Sequence, residues 1–275
     1  MKVSNVNTSN VSKGAGVRSE FWKRRELRAG RRSRFVEVRE VSLETVRADA
    51  VENGLVDNVV ALLGTGKEAD VYIGMWKGTP LAPKVYRIHR TSHRKHGAIG
   101  YAPDRMGAIA AREFTILQKA YRGGVPVPTP ARRVDNMFTM RFLGTEKMAP
   151  SLRRLEPEKP EELAREAVGI VEKLLDAFIV HGDLSEYNIL SWNDRLYVID
   201  FPQAVDFSSK VDRHQKTREA APLLLRDLQN VETYFKRHGV SVNAREVFTR
   251  LLPNLQPDMG ALGSESLIAD GKELR

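Results

Sequence analysis

Asp183 and Asn188 stand five residues apart in His181-Gly182-Asp183-Leu184-Ser185-Glu186-Tyr187-Asn188, and Asp200 follows in Asp200-Phe201-Pro202. On a loop, an Asp and an Asn at that spacing can face one small volume. The carboxylate there can accept a hydroxyl proton, the amide oxygen can ligate a divalent metal, and a second Asp supplies another hard oxygen. That is the chemistry of phosphoryl transfer. Asp and Asn are also ordinary turn formers, so the pattern carries weight only in its structural context.

That context is favourable. Val171–Val180 is apolar at helical spacing, while Ile189-Leu190 and Leu196–Ile199 are short apolar runs separated by Asn193-Asp194. The order predicted is helix, catalytic loop, hairpin, metal-binding Asp. Pro160-Glu161-Glu162 marks the start of the helix, with proline and acids where a helix N-terminus favours them.

Upstream, Gly64-Thr65-Gly66-Lys67 lies between strand-like runs, after a predicted helix over Val41–Val51 stopped by Gly54 and a strand over Val59–Leu63. Glycines there let the backbone approach an anion without a Cβ in the way. Ala69 replaces the third glycine of a G-x-G-x-x-G loop, so the turn taken alone also suits an ordinary hairpin. Lys84 sits among apolar residues on a predicted strand, where an unpaired ammonium is costly. Glu113, on a helix predicted over Gly107–Tyr121, is a suitable partner; an exposed Lys and an exposed Glu are the plain alternative.

Val125-Pro126-Val127-Pro128-Thr129-Pro130 reads as an extended linker that cannot be helix. The strand Phe138–Gly144, with Met140 and Phe142, falls where the base of a nucleotide would lie, though a core strand would look the same. Ala220–Arg237 and Asn243–Leu252 are further helices, and the residues after Pro257 read as a frayed tail.

Composition bounds the rest. With 275 residues, 41% of them hydrophobic, the chain can bury a sizeable core. It has no Cys, which excludes disulfides, thiolate metal sites and a cysteine nucleophile. No apolar run reaches the roughly 18 residues of a membrane span, and the N-terminus lacks a signal-like apolar centre, so a soluble, intracellular protein without a membrane partner is expected. Of nine net positive charges, seven fall in the first forty residues, where eleven Lys/Arg face four acids. That asymmetry points to a polyanionic partner, nucleic acid before membrane. Arg18–Arg34 would be basic on most faces as a helix, suited either to solvent or to phosphate. Arg87–Arg105, with His89, His93, His96, Thr91 and Ser92, reads as a long basic loop fit for RNA or nucleotide phosphate; its histidines lack acids among them and are poor metal ligands.

With these pieces in order, the chain resembles the RIO family of atypical serine/threonine protein kinases. The resemblance rests on Gly64-Thr65-Gly66-Lys67-Glu68-Ala69-Asp70-Val71-Tyr72, on His181 to Asn188, and on Ile199-Asp200-Phe201-Pro202-Gln203-Ala204-Val205, and it covers about residues 42–238. Lys84-Val85-Tyr86-Arg87-Ile88-His89-Arg90-Thr91-Ser92 and Phe201-Pro202-Gln203 are most like the branch that carries an N-terminal winged helix; Leu184–Tyr187 is closer to the other main branch. The resemblance implies an α+β, two-lobed protein-kinase-like fold, with a β-rich N-lobe bearing the glycine loop and a helical C-lobe. It implies ATP with Mg²⁺, or Mn²⁺ in its place, autophosphorylation, and a cytoplasmic role in maturing the small ribosomal subunit, with the pre-small subunit and its rRNA as partners.

Carried over residue by residue, Asp183 would be the catalytic base, Asn188 and Asp200 metal ligands, Lys84 the phosphate-orienting cation and Glu113 its partner. Gly64, Thr65, Gly66 and Lys67 would cover the phosphates, with Val71, Met140 and Phe142 completing the nucleotide site. Asp200, and Ser92 in the basic loop, would be phosphoacceptors. The domain division expected is a basic arm over 1–40, a helix and strand over 41–60 as a shortened winged helix, an N-lobe over 61–143, a C-lobe over 144–257 and a flexible tail over 258–275.

Some features depart from the family pattern. About 55 residues precede the strand that leads into the glycine turn, fewer than a full winged helix uses; Arg141 stands at a hinge position where an acid is usual, and no Ala-Pro-Glu follows Asp200. Two other functions are compatible with parts of the sequence. A small-molecule phosphotransferase of the aminoglycoside or choline kinase type shares the H-G-D-x-x-x-x-N loop, but Leu184–Tyr187 and Phe201–Gln203 argue against it. An RNA-binding scaffold with a nucleotide switch is the other.

Overall fold

The computed structural model of the chain describes residues 22–27, 34–39, 42–87 and 104–255. Strands β1 (Trp22–Leu27) and β2 (Arg34–Arg39) pair antiparallel, which corrects the helix considered over Arg18–Arg34. Phe35, Val36 and Val38 are residues that favour a strand, and Arg24 stands opposite Glu37 in the register, whereas Gly30 would weaken a helix here. The loose arm expected over the first residues, the basic loop beyond Arg87 and the tail beyond Leu255 lie outside the described residues.

Helix α1 (Leu43–Glu52) starts at Ser42, whose side chain accepts the Thr45 N–H while Thr45 caps Ser42 in return, and it ends at Asn53 before the left-handed Gly54. It lays Val46 and Ala50 on Val59, Tyr72, Val85 and Met137 of the sheet that follows. That sheet has five strands, β3 (Asn58–Thr65), β4 (Ala69–Trp76), β5 (Thr79–Tyr86), β6 (Pro130–Val134) and β7 (Met137–Arg141), in the order β3-β4-β5-β7-β6 and antiparallel throughout. Helix α2 (Asp104–Arg122) packs on it through Phe114, Ile116 and Leu117. The proline linker is not helical, but its last residue opens β6, where a proline costs nothing as the first residue of an edge strand.

After β7 the chain enters the helical part: α3 (Pro160–Asp176), the short strands β8 (Ile179–Val180), β9 (Ile189–Trp192), β10 (Arg195–Val198) and β11 (Val205–Asp206), then α4 (Arg213–Arg237) and α5 (Ala244–Leu255). The helix expected up to Val180 stops at Asp176. Phe178 takes a left-handed conformation, and Ile179–Val180 pair with β11 instead. Helix α4 begins seven residues before the predicted Ala220, because its first two turns are charged and give no apolar period. Asn193 and Asp194, both at positive φ, make the tight turn that joins β9 to β10.

One core runs from α2 and β7, with Phe114, Leu117 and Phe138, into α3, the hairpin and α4, with Ile170, Leu196 and Leu228. The result is an α+β kinase-like arrangement: an antiparallel sheet with α2 on one side of the Arg141–Gly144 crossing and the helical part on the other. Among the described residues no helix is long and apolar enough to cross a membrane.

Candidate active site

A cavity of about 580 Å³ opens between the sheet and the helical part. The glycine turn Gly64–Lys67 forms one wall, Val71, Lys84 and Met140 the sheet side, and Asp183, Ile199 and Asp200 the opposite side. A smaller, almost wholly apolar pocket of about 140 Å³ adjoins it, sharing Gly64, Val71, Met140 and Ile199 and adding Phe142, Leu143 and Leu190. A polar cleft continued by an apolar slot suits a molecule with an anionic end and a flat apolar end. A Cβ added at Gly64 would meet no protein atom, so its absence leaves space in the cleft rather than relieving a clash.

Lys84 is the electrostatic centre of the cleft. Its Nζ lies 2.7 Å from Oε1 of Glu113 and 2.6 Å from Oδ1 of Asp200, with Lys84 and Glu113 both buried and Asp200 partly exposed. Burial opposes the ammonium charge, but the two carboxylates outweigh it and hold Lys84 above the ordinary lysine range. Strand β5 carries Lys84 and helix α2 carries Glu113, so the pair ties sheet to helix. Glu113 also accepts the Phe201 backbone N–H at 3.0 Å and the Tyr86 hydroxyl.

The segment after Asp200 is pinned by α2 and α4. Arg112 donates to the carbonyls of Pro202 and Ala204, at 2.9 and 2.6 Å. Arg226 donates to the Gly182 carbonyl and reaches Gln203. Asp200 itself sits at φ +73, an uncommon backbone state for a residue with a Cβ that persists only where neighbours enforce it.

The loop carrying Asp183 is held from below. Asp227 of α4, buried, accepts the N–H groups of Gly182 and Leu184, each at 2.8 Å. Burial pushes its carboxyl up to about 7 against the pull of those donors. Gly182 adopts φ +77, and a Cβ there would stand 2.8 Å from the Gln203 carbonyl oxygen, so only glycine fits. His181 is buried beside the Phe201 ring, with Nε2 3.1 Å from the Ile199 carbonyl and Nδ1 3.3 Å from the Asp183 N–H. Those partners fix a neutral imidazole protonated on Nε2, and burial lowers its pKa to about 4. The histidine braces the loop and stays uncharged.

Asn188 donates from Nδ2 to the Asp183 carbonyl at 2.8 Å, which leaves its Oδ1 as the amide atom on offer. The Ile199 N–H donates to the Asn188 carbonyl at 3.0 Å, a register that sets Asp200 beside Asn188. Among the described residues no group of three or more His, Cys, Asp or Glu is placed to hold a metal by itself. An amide oxygen and one carboxylate nevertheless suit Mg²⁺, which keeps waters and takes phosphate oxygens to complete an octahedral shell.

The sequence-selected residues therefore converge. Gly64, Thr65, Gly66, Lys67, Val71, Lys84, Met140, Asp183 and Asp200 line the cleft, and Phe142 lines the slot. Glu113 stands behind Lys84, and Asn188 supports the Asp183 loop. Ser92 lies outside the described residues. The sequence reading missed Tyr86, Arg87, Arg112 and Asp227. Asp227 had a signal, as an acid at an otherwise apolar helical position between Leu224 and Val231. So did Tyr86, two residues from Lys84 and hence on the same face of the strand. Arg87 was assigned to the loop, yet its Nε donates to the buried Asp70 at 2.6 Å and its guanidinium to the Gly66 carbonyl at 2.8 Å, bracing the glycine turn.

The RIO domain family matches residues 70–247. The chain belongs to the RIO kinase family. The RIO-type serine/threonine-protein kinase Rio1 of Haloferax volcanii is 30% identical over 211 residues, covering 72% of this chain and 70% of that protein. RIO3 of Caenorhabditis elegans is 31% identical over 205 residues, 69% of this chain and 39% of that protein, and human RIO1 28% over 214 residues, 71% and 36%. The chain spans well under half the length of those two animal relatives. Among solved structures, the Chaetomium thermophilum Rio2 kinase in its ADP/Mg²⁺-phosphoaspartate complex aligns with a TM-score of 0.58 over 92% of this chain and 82% of that one, at 19% identity, a likeness of fold. The sequence relatives thus carry Rio1 and Rio3 names and the fold neighbour a Rio2 name. The RIO match takes in Lys84, Glu113, Asp183, Asn188 and Asp200 and begins just after the glycine turn.

Proposed function

We propose that this RIO protein is an ATP- and Mg²⁺-dependent serine/threonine kinase or ATPase that phosphorylates itself and acts in the cytoplasm on the maturing small ribosomal subunit. The observation that carries the enzymatic part is the bridge from Lys84 to both Glu113 and Asp200 on the wall of a cleft that also holds Asp183. In this site Lys84 orients the nucleotide phosphates, and Gly64 to Lys67 cover them. Val71, Met140 and Phe142 flank the base, and Asp183 accepts the proton of the attacking hydroxyl. Asn188 and Asp200 would hold Mg²⁺, or Mn²⁺ in its place, whose charge offsets the developing charge on the phosphates.

The Chaetomium Rio2 complex contains a phosphoaspartate, and Asp200 is the corresponding candidate here. A carboxylate oxygen of Asp200 would attack the γ-phosphorus as the bond to the β–γ bridging oxygen breaks and ADP leaves, and water would then cleave the acyl phosphate. Ser92 is the second acceptor we assign. The basic residues 1–40 and Arg87–Arg105 supply the contact to rRNA, with the catalytic domain over 61–257 divided at residue 144 and the tail over 258–275 free of the chemistry.

The test is incubation with γ-labelled ATP and Mg²⁺, followed by hydroxylamine treatment. A label lost to hydroxylamine and absent in Asp200→Ala supports the acyl phosphate; a hydroxylamine-resistant label places the phosphate on a hydroxyl such as that of Ser92. ATP turnover that survives both Asp183→Ala and Asp200→Ala overturns the enzymatic assignment. Deleting residues 1–40 should flatten the salt dependence of rRNA binding, and an unchanged slope moves the RNA contact elsewhere.

A further inference from the structure

Tyr86 is one of the largest side chains in the protein with almost no exposure, 1%, yet it lines the cleft two residues beyond Lys84. Its hydroxyl donates to Oε2 of Glu113, while Oε1 of the same carboxylate takes Lys84 and the Phe201 N–H. These three donors on Glu113 come from two segments: Lys84 and Tyr86 from β5, and Phe201 from the stretch after Asp200. The Tyr86 backbone is clamped from the turn between β6 and β7, its N–H donating to the Asn136 carbonyl at 3.0 Å and its carbonyl accepting Nδ2 of Asn136 at 2.5 Å. The buried Asn136 thus holds the strand end through both the N–H and the carbonyl of Tyr86. Lys84 Nζ lies 5.4 Å from the Tyr86 ring centroid, so the ring also faces the cation.

We infer that Tyr86 is a positioning residue for phosphoryl transfer, its hydroxyl locking the Glu113 carboxylate in the rotamer that holds Lys84 and Asp200 in register. The inference rests on the phosphoryl-transfer function proposed above. Without the hydroxyl, Oε2 of Glu113 is a buried acceptor with no donor. The carboxylate can then rotate to share its two oxygens differently between Lys84 and Phe201, and the spacing of Lys84 from Asp200 changes with it. Burial and Glu113 keep the phenol protonated far above its ordinary range, so it remains a donor at every working pH. The Tyr86 hydroxyl is engaged by Glu113, and through that carboxylate it acts on Lys84. Because Tyr86 is also the last residue of β5, the root of the basic connection to α2 and the heart of the site share one side chain.

The experiment is a double-mutant cycle on the full chain with Tyr86→Phe and Glu113→Ala, reading kcat and KM for ATP turnover and thermal melting, with Asp183→Ala and Asp200→Ala as the controls for the site. Tyr86→Phe keeps the ring and its packing and removes one hydrogen bond to a charged acceptor, so kcat should fall about tenfold with KM nearly unchanged. In the Glu113→Ala background the same change should have almost no effect on kcat, because the group through which Tyr86 acts is gone. A kcat unaltered by Tyr86→Phe, or an equal loss in both backgrounds, overturns the inference, whatever the melting temperature does. Turnover that survives both Asp183→Ala and Asp200→Ala would instead overturn the proposed function itself.

Discussion

Glu113 of α2 accepts the backbone N–H of Phe201 at 3.0 Å, so the helix residue that pairs with Lys84 also fixes the peptide next to Asp200. The sheet, α2 and the Asp200 segment thus meet on one buried carboxylate, and a displacement of any of them is felt by the other two. Replacing Glu113 by Ala leaves Lys84 its ion pair with Asp200 and removes the acceptor that the Tyr86 hydroxyl and the Phe201 N–H share. A loss of about 3 kcal/mol is expected, at the low end for breaking a buried pair because Asp200 remains. Urea unfolding of the variant against the parent chain measures it, and ATP turnover should fall with it by at least about a hundredfold, the scale of losing one preorganised electrostatic group.

Opposing pH slopes are built into the Asp183 loop. His181, lowered to about 4 from 6.5, is neutral in the fold and takes up a proton more readily when unfolded. Its contribution is therefore present above pH 6.5 and lost as pH falls from there towards 4, a total of about 3 kcal/mol. Asp227, raised from 3.8 to about 7, has the opposite sign, its folded state binding a proton that the unfolded chain releases, so stability falls as pH rises through that window. The parent chain should show a shallow net profile between pH 4 and 7. Asp227→Asn should uncover the rising limb due to His181, and His181→Phe the falling limb due to Asp227. Denaturant midpoints at pH 4.5 and 7 check both, and identical profiles in all three proteins would refute the assignment.

Arg87 braces the glycine turn through the Gly66 carbonyl and the buried Asp70. Arg87→Gln removes the charged partner of the buried Asp70 together with the donor to Gly66, so the turn over the phosphates should loosen, the chain should lose stability, and KM for ATP should rise several-fold. Steady-state kinetics at fixed Mg²⁺ are the measurement. An unchanged KM would show that the turn holds its shape without the arginine.

Gly182 lies under the Gln203 carbonyl at φ +77. Gly182→Ala imposes a left-handed backbone on a residue with a Cβ, and forces the Asp183 loop away from the Asp200 segment. A destabilisation of about 2 kcal/mol, combining backbone strain with the displaced carbonyl, should appear in chemical denaturation. Turnover should fall further than stability does, because the displaced loop carries Asp183.

The sequence by itself determined the chemistry and its order along the chain. Asp183, Asn188 and Asp200 stand out by residue type and local spacing, Lys84 by being a charge inside an apolar strand, and the helices and hairpin around them by periodicities of 3.6 and 2. These signals are local, and local signals survive in one dimension. Where the local signal was weak, at the charged start of α4, the arginine-rich β1 and β2, and the proline that opens β6, element boundaries or types were misjudged because pairing with distant strands or burial of a later face decides them. Only the tertiary structure decided that Tyr86 and Phe201 share Glu113 with Lys84, that Asp227 carries the Asp183 loop, and that Arg87 belongs to the glycine turn. Each is a polar contact whose partner is set by which elements the hydrophobic core brings together, and that partner lies 17 to 88 positions away along the chain.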